Sequence, residues 1–300
     1  MYRSILNYGQ YRYLKQAVAL VFISLVIYLS ASPGEPPNGG TWQGYTLGII
    51  GAALILFLLW FGIRKRQYHR TKTSLDQWAS AHVYLGISLP VVVSLHSALQ
   101  FGWNIHSLAY ALMVVVVLSG FYGLYAYLSF PAVVTTIRNG VSRGEMITTI
   151  ARLDETSLAL SENLGAEAHH KVLREVVETR LGGTLWQQII MGASLPVLPL
   201  FQWKLAGSFA GSEQAALGVD ALSPKGFLSK YLQESKSTEE INQVVELLKV
   251  LNERQSLISR VQRDIRYHAL MKCWLFLHIP IACALLVAVL IHVISVFFYW

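Results

Sequence analysis

Charge is what this 300-residue chain has least of. Asp, Glu, Lys and Arg together make 14% of its residues and hydrophobic types 54%, against about 25% charge in an average soluble domain. An ordinary soluble enzyme is excluded on that ground. The shortage is concentrated: no charged residue occurs from Gln77 to Ile137 or from Cys273 to Trp300, and about 20 apolar residues suffice to cross a bilayer. Cysteine is almost missing too. Cys273 and Cys283 lie in the last apolar run, which excludes a disulfide framework and leaves the charged part of the chain without iron–sulfur ligands. Both read as packing thiols. Internal repeats, low-complexity tracts and nucleotide-binding glycine patterns are absent as well.

The charge that remains has a net value of +7, from 24 Lys and Arg against 17 Asp and Glu. In so apolar a chain these cations are expected to set membrane orientation, and no nucleic-acid partner is expected. The first apolar run, Ala17–Ser32, follows Arg3, Arg12 and Lys15. No small-x-small cleavage pattern precedes the Pro/Gly-rich segment Ser32–Gly44, so the run reads as a retained helix. A second run, Tyr45–Ile63, ends at Arg64-Lys65-Arg66, with Arg70 and Lys72 beyond. The long uncharged tract divides into spans at Trp78–Phe101 and Leu108–Phe130, joined by Gly102–Ser107, and the last span is Cys273–Tyr299.

The expected fold is therefore all-α: a polytopic membrane bundle of five transmembrane helices with a helical cytoplasmic insert between helices 4 and 5. The domains are 1–130 (helices 1 to 4), 131–272 (insert) and 273–300 (helix 5). With the N-terminus and insert cytoplasmic and the C-terminus periplasmic, all 24 basic residues fall inside, as the positive-inside rule asks. A bacterial inner membrane, with lipid as the first partner, is the expected location.

Within the insert, Glu155–Arg180 reads as helix, and apolar Leu195–Phe209 as a membrane-surface segment or the insert's core. Ser237-x-x-Glu240 is a capping-box pattern. After it Val244, Leu251, Ile258 and Ile265 recur at sevens, with Ile241 and Leu248 in the companion register. Such a stripe is expected to pack against other helices. No Gly or Pro interrupts Ser237 to Pro280, so this helix is predicted to run straight into the last span.

Two histidine pairs stand out in the uncharged tracts: His82 and His96 in the third span, His278 and His292 in the fifth, each 14 positions apart. Fourteen residues turn about 40° short of four full turns and rise about 21 Å, so each pair shares one helix face. The two spans run in the same direction, which sets His82 level with His278 and His96 level with His292. Each level then offers two imidazoles, which suit Fe, Cu, Zn or Ni. Zinc needs two further ligands, and no Cys, Asp or Glu is placed to supply them. Haem brings four nitrogens and asks for two axial ligands. Two haem b groups match the ligand count, with His82/His278 binding the inner iron and His96/His292 the outer.

The segments HVYLGISLPVVVSLH and HIPIACALLVAVLIH resemble the paired haem-bearing helices of membrane diheme b cytochromes, particularly the ferric-reductase and NADPH-oxidase type of transmembrane domain. The resemblance covers Trp78–Phe130 and Cys273–Trp300. It implies that the four histidines are axial ligands. It departs from that family in that FAD and NADPH domains usually follow the last haem helix, and none is visible here; quinol-site motifs of cytochrome b are also lacking. The expected function is that of a diheme electron-transfer subunit of a respiratory chain. It would carry electrons between a quinone or quinol and a partner redox protein, either a c-type cytochrome or a flavin or iron–sulfur protein.

Supporting residues have two readings each. Gly86, Gly120 and Gly123 admit either a porphyrin or a neighbouring helix, and Pro90 and Pro280 are expected to kink their helices by freeing carbonyls. Inner propionates would find Arg64, Lys65, Arg66, Arg70, Lys72 and Lys272, all of which also serve as anchors. The outer side has no cation, leaving Gln100, Trp103, Asn104 and His106 as a propionate or quinone site; His106 would bond a propionate, take a quinol proton or face water. His69, His169, His170 and His268 lie outside the spans. The alternative functions are a sensor or scaffold signalling through the long helix, or a metal-ion transporter, which would lack intramembrane carboxylates.

Overall fold

A computed structural model describes residues 5–31, 38–66, 74–179, 181–190, 228 and 238–298. Among these residues the regular structure is helical and no strand occurs. A 3-10 turn at Ile5–Asn7 precedes α1 (Arg12–Leu29), α2 (Trp42–Arg66), α3 (Leu75–Ser97), α4 (Ile105–Arg138), α5 (Arg143–Glu162), α6 (Ala166–Glu178), α7 (Leu185–Ile190) and α8 (Thr238–Phe298).

Helix ends fall where something takes over the orphaned backbone groups, and this moves them from the ends of the apolar runs. Ser74 caps α3, its Oγ accepting from the Gln77 amide at 3.3 Å, and Ala98 and Leu99, both at positive φ, end it. Asn104 opens α4 by accepting from the Ser107 amide at 3.1 Å, so the connection between these helices is residues 98–104. The expected stop at Phe130 does not occur: α4 continues through Pro131 to Arg138, since one proline removes a single interior donor. The Arg260 guanidinium then donates to the Ile137 and Arg138 carbonyls at 2.8 and 2.9 Å, and Gly140 turns the chain at φ +81°. Ser142 and Glu145 form a reciprocal capping box that starts α5.

The chain divides into two compact units, Met1–Ser129 with Cys273–Trp300, and Phe130–Lys272. In the first, α1 and α2 pack on α3. Its core joins Leu47, Leu54 and Ile55 of α2 to Leu89 and Val92 of α3, Met113 of α4 and Leu285 of α8. The outward faces are just as apolar: Val18, Phe22, Ile49, Leu56, Phe276 and Leu290 are each more than half exposed. Helices long and apolar enough to cross a membrane occur in Arg12–Leu29, Trp42–Arg64, Leu75–Ser97, Ile105–Glu162 and Thr238–Phe298. This is a multi-pass membrane protein whose exposed apolar faces suit contact with lipid.

In the second unit α5 and α6 pack together, and the charged half of α8 supplies both of its cores. Val244, Leu247 and Leu251 meet Ala168 and Val172 of α6; Ile258 and Val261 meet Met146 and Ile150 of α5. The predicted stripe is thus spent on packing, with Leu248 and Ile265 at its margins. Helix α8 runs unbroken over 61 residues, through Pro280. Ser237 and Leu195–Phe209 lie outside the described residues.

Two charged groups are buried among the described residues of this unit. Arg254 bonds Asp154, Glu175 and Thr179. Asp264, fully enclosed, accepts from Arg138 at 2.8 Å and from Arg143. Burial works to raise the Asp264 carboxyl, but the hydrogen bonds and charges of the two arginines outweigh it and hold the group below the ordinary carboxylate range. Arg143 also donates to His268 at 3.0 Å.

Candidate functional site

All four paired histidines lie in the first unit, two on α3 and two on α8, and each is half-buried. His96 and His292 meet: their ring centroids stand 6.0 Å apart with the planes at 72°. His96 Nδ1 lies 2.8 Å from the Gly44 carbonyl of α2. A carbonyl only accepts, so Nδ1 carries the proton and Nε2 keeps its lone pair. Glycine is required nearby as well. A Cβ on Gly48 would stand 2.8 Å from His96 Cε1 and 3.0 Å from Nδ1, so α2 can cradle this ring only without a side chain there.

His292 is held from the other side. Its Nδ1 is hydrogen-bonded to Nδ1 of His106, with the ring centroids 4.3 Å apart and the planes nearly perpendicular. His106, in the first turn of α4, is itself exposed.

His278 is tied to the middle of α4. Its Nδ1 is 2.6 Å from Ser119 Oγ, and that hydroxyl donates its hydrogen to the Val116 carbonyl at 2.7 Å. Ser119 must therefore accept from His278 Nδ1–H, again leaving Nε2 unprotonated. The Trp274 indole sits 5.3 Å from the His278 ring and donates to the Ser119 carbonyl at 2.8 Å. It occupies the place a side chain on Gly123 would need.

His82 differs from the other three. Its Nδ1 is buried without a hydrogen-bond partner among the described residues. The ring packs against Phe61 at 4.9 Å; the Leu58 backbone lies beside it, and His278 is within electrostatic range. Leu58 follows Gly44 in α2 by the same 14 residues that separate His82 from His96.

Chemically, His96 and His278 have Nδ1–H engaged and Nε2 available, and His292 has Nδ1 engaged by His106, the arrangement by which outer partners orient histidines that ligate a metal. Among the described residues no group of three or more His, Cys, Asp or Glu side chains could hold a bare metal ion. The donor set on hand is imidazole in twos. It fits a group that brings its own equatorial ligands, and the His82 Nδ1 lacks the partner that burial demands.

The remaining candidates fall elsewhere. Asn104 is occupied as the cap of α4 and Trp103 is fully exposed; neither is brought to the histidines, whereas His106 is. Gly123 serves helix packing, Gly86 faces Leu58, and a Cβ on Gly120 would lie 4.0 Å from His278 Cε1. Arg64 lies over the Trp78 ring at 5.7 Å. The side chains of Lys65 and Arg66, and all of His69, Arg70 and Lys72, lie outside the described residues. His169 bonds Ser161 at 3.0 Å, and His170 is exposed. Sequence reasoning missed Gly44, Gly48 and Ser119. Their one-dimensional signal, small residues in apolar helices, is shared with ordinary helix packing.

Compared with protein-family models, curated protein sequences and solved structures, the chain matches none.

Proposed function

We propose that this protein is a diheme b-type cytochrome subunit of a bacterial inner membrane, carrying electrons between a quinone or quinol and a partner redox protein. The observation that carries the reading is the His96–His292 pair, two imidazoles 6.0 Å apart, each with Nδ1 engaged. His96 and His292 would hold one haem, His82 and His278 the other. When bound, each haem supplies a one-electron iron couple. The chain's own work is to hold neutral imidazoles with Nε2 free and to shield them within apolar helices. The N-terminus and the Phe130–Lys272 unit are assigned to the cytoplasm by the distribution of Lys and Arg. The partner at either face would be a c-type cytochrome, or a flavin or iron–sulfur protein.

Reduced-minus-oxidised spectra of the purified chain test this. A b-type α-band with two haems per chain is expected; wild-type protein without haem would end the reading. A sensor or scaffold signalling through the long helix, which runs unbroken from Thr238 to Phe298, is the second reading; function retained after replacement of all four histidines would favour it over the diheme reading.

A further inference from the structure

Each histidine-bearing helix has a companion. The α3 histidines lie beside the backbone of α2, at Gly44 and Leu58, whereas the α8 histidines meet side chains of α4, at Ser119 and His106. A backbone carbonyl is the same in every sequence. A side chain is a choice, and the two made here differ: a hydroxyl for His278, an imidazole for His292.

We infer that Ser119 and His106 are positioning residues that fix which nitrogen His278 and His292 present to iron, and so set the two haem potentials separately. This rests on the diheme reading above. Ser119 has one hydrogen, and Val116 takes it, so toward His278 it acts as an acceptor; Trp274, bonded to the carbonyl of the same residue, holds it in place. An acceptor on Nδ1–H makes Nε2 a stronger donor, which favours ferric over ferrous iron. His106 Nδ1 faces His292 Nδ1 from the first turn of α4, and in its Nε2–H tautomer it accepts in the same way. Neither residue touches iron.

The test is a redox titration of the full chain in detergent, followed by the optical signature of each haem, on Ser119→Ala, Ser119→Thr, His106→Leu and His106→Gln. Ser119→Ala should raise the potential of the His82/His278 haem alone. A tenfold loss of ferric preference, the lower end of such outer-partner effects, is about 59 mV for one electron. Ser119→Thr, which keeps the hydroxyl, should restore it. His106→Leu should shift only the His96/His292 haem, with His106→Gln restoring an acceptor. Loss of that one haem, rescued by the conservative variant, would support the inference equally. Two haems with unmoved potentials in both Ser119→Ala and His106→Leu, or equal shifts of both haems, would overturn it and leave the diheme reading standing. Wild-type protein without haem would overturn the reading itself. In that case nitrogen-15 shifts of the His278 imidazole, expected to report an Nδ1–H tautomer that Ser119→Ala abolishes, still decide whether Ser119 orients the ring.

Discussion

The two units differ in the charge they bury. Among the described residues of Met1–Ser129 with Cys273–Trp300 the buried polar side chains are neutral: Ser88 bonds a carbonyl of its own helix, and Ser24, Ser80 and His82 each have a buried atom lacking a partner. Among the described residues of Phe130–Lys272, Ser157 and Ser161 bond carbonyls of their own helix in the same way, but two full charges are buried as well, Arg254 held by three residues and Asp264 by two arginines. A buried charge is tolerated only when paired and hydrogen-bonded, and the second unit has the Asp, Glu and Arg to do it. In the first, the tracts from Gln77 to Ser129 and from Cys273 to Trp300 hold none, so polar function there falls to imidazole, hydroxyl and backbone carbonyl.

The contrast can be broken hardest at the histidines. His96→Ala and His292→Ala should each remove the same haem completely and keep the other, read from haem content and the reduced spectrum. Loss of different haems would mean that the pairing is wrong. Substitution in the charged unit should leave both haems in place. Asp264→Asn is expected to cost about 2 kcal/mol by thermal scanning of the full chain. That is less than the usual toll of breaking a buried pair, because Arg138 and Arg143 keep 34% and 35% of their side-chain surface in water.

Acid sharpens the same difference. The Asp264 carboxyl is held below its unfolded value of about 3.9, so its contribution is complete above that pH and is lost as pH falls through the lower, folded value. The melting temperature of wild type should drop over that range, and that of Asp264→Asn should drop less. A smaller effect is expected at Gly48→Ala. The added Cβ would crowd the His96 ring at about 1–3 kcal/mol of overpacking, partly offset by about 1 kcal/mol of helix propensity. Reduced occupancy of the His96/His292 haem is the readout. Trp103→Ala should change neither haem content nor potentials, since the side chain is fully exposed; a lost haem would place Trp103 in the site after all.

Much of the architecture was legible in one dimension. Uncharged tracts mark membrane helices because a charge in hydrocarbon is costly, and the heptad stripe at Val244, Leu251 and Ile258 marked a packing face that the structure buries. Helix ends were less legible. The run ending at Phe130 measures hydrocarbon, while α4 stops where Arg260 can reach its last carbonyls, a contact with a residue over a hundred positions away. The histidine spacing was visible for the same reason as the spans, as few polar residues compete in those tracts. The partners of those histidines were not visible as such: Gly44 and Ser119 resemble any small residue, and His106, already a site candidate, shows its contact with His292 only when the helices are side by side.

The sequence by itself determined that the protein is helical and multi-pass, and that four histidines repeat at one spacing, because hydropathy and helical periodicity are local properties of the chain. Only the tertiary structure decided what each imidazole faces. Hydrogen-bond partners 52, 159 and 186 residues away in sequence are chosen by helix packing, and that packing selects the nitrogen each ring leaves free.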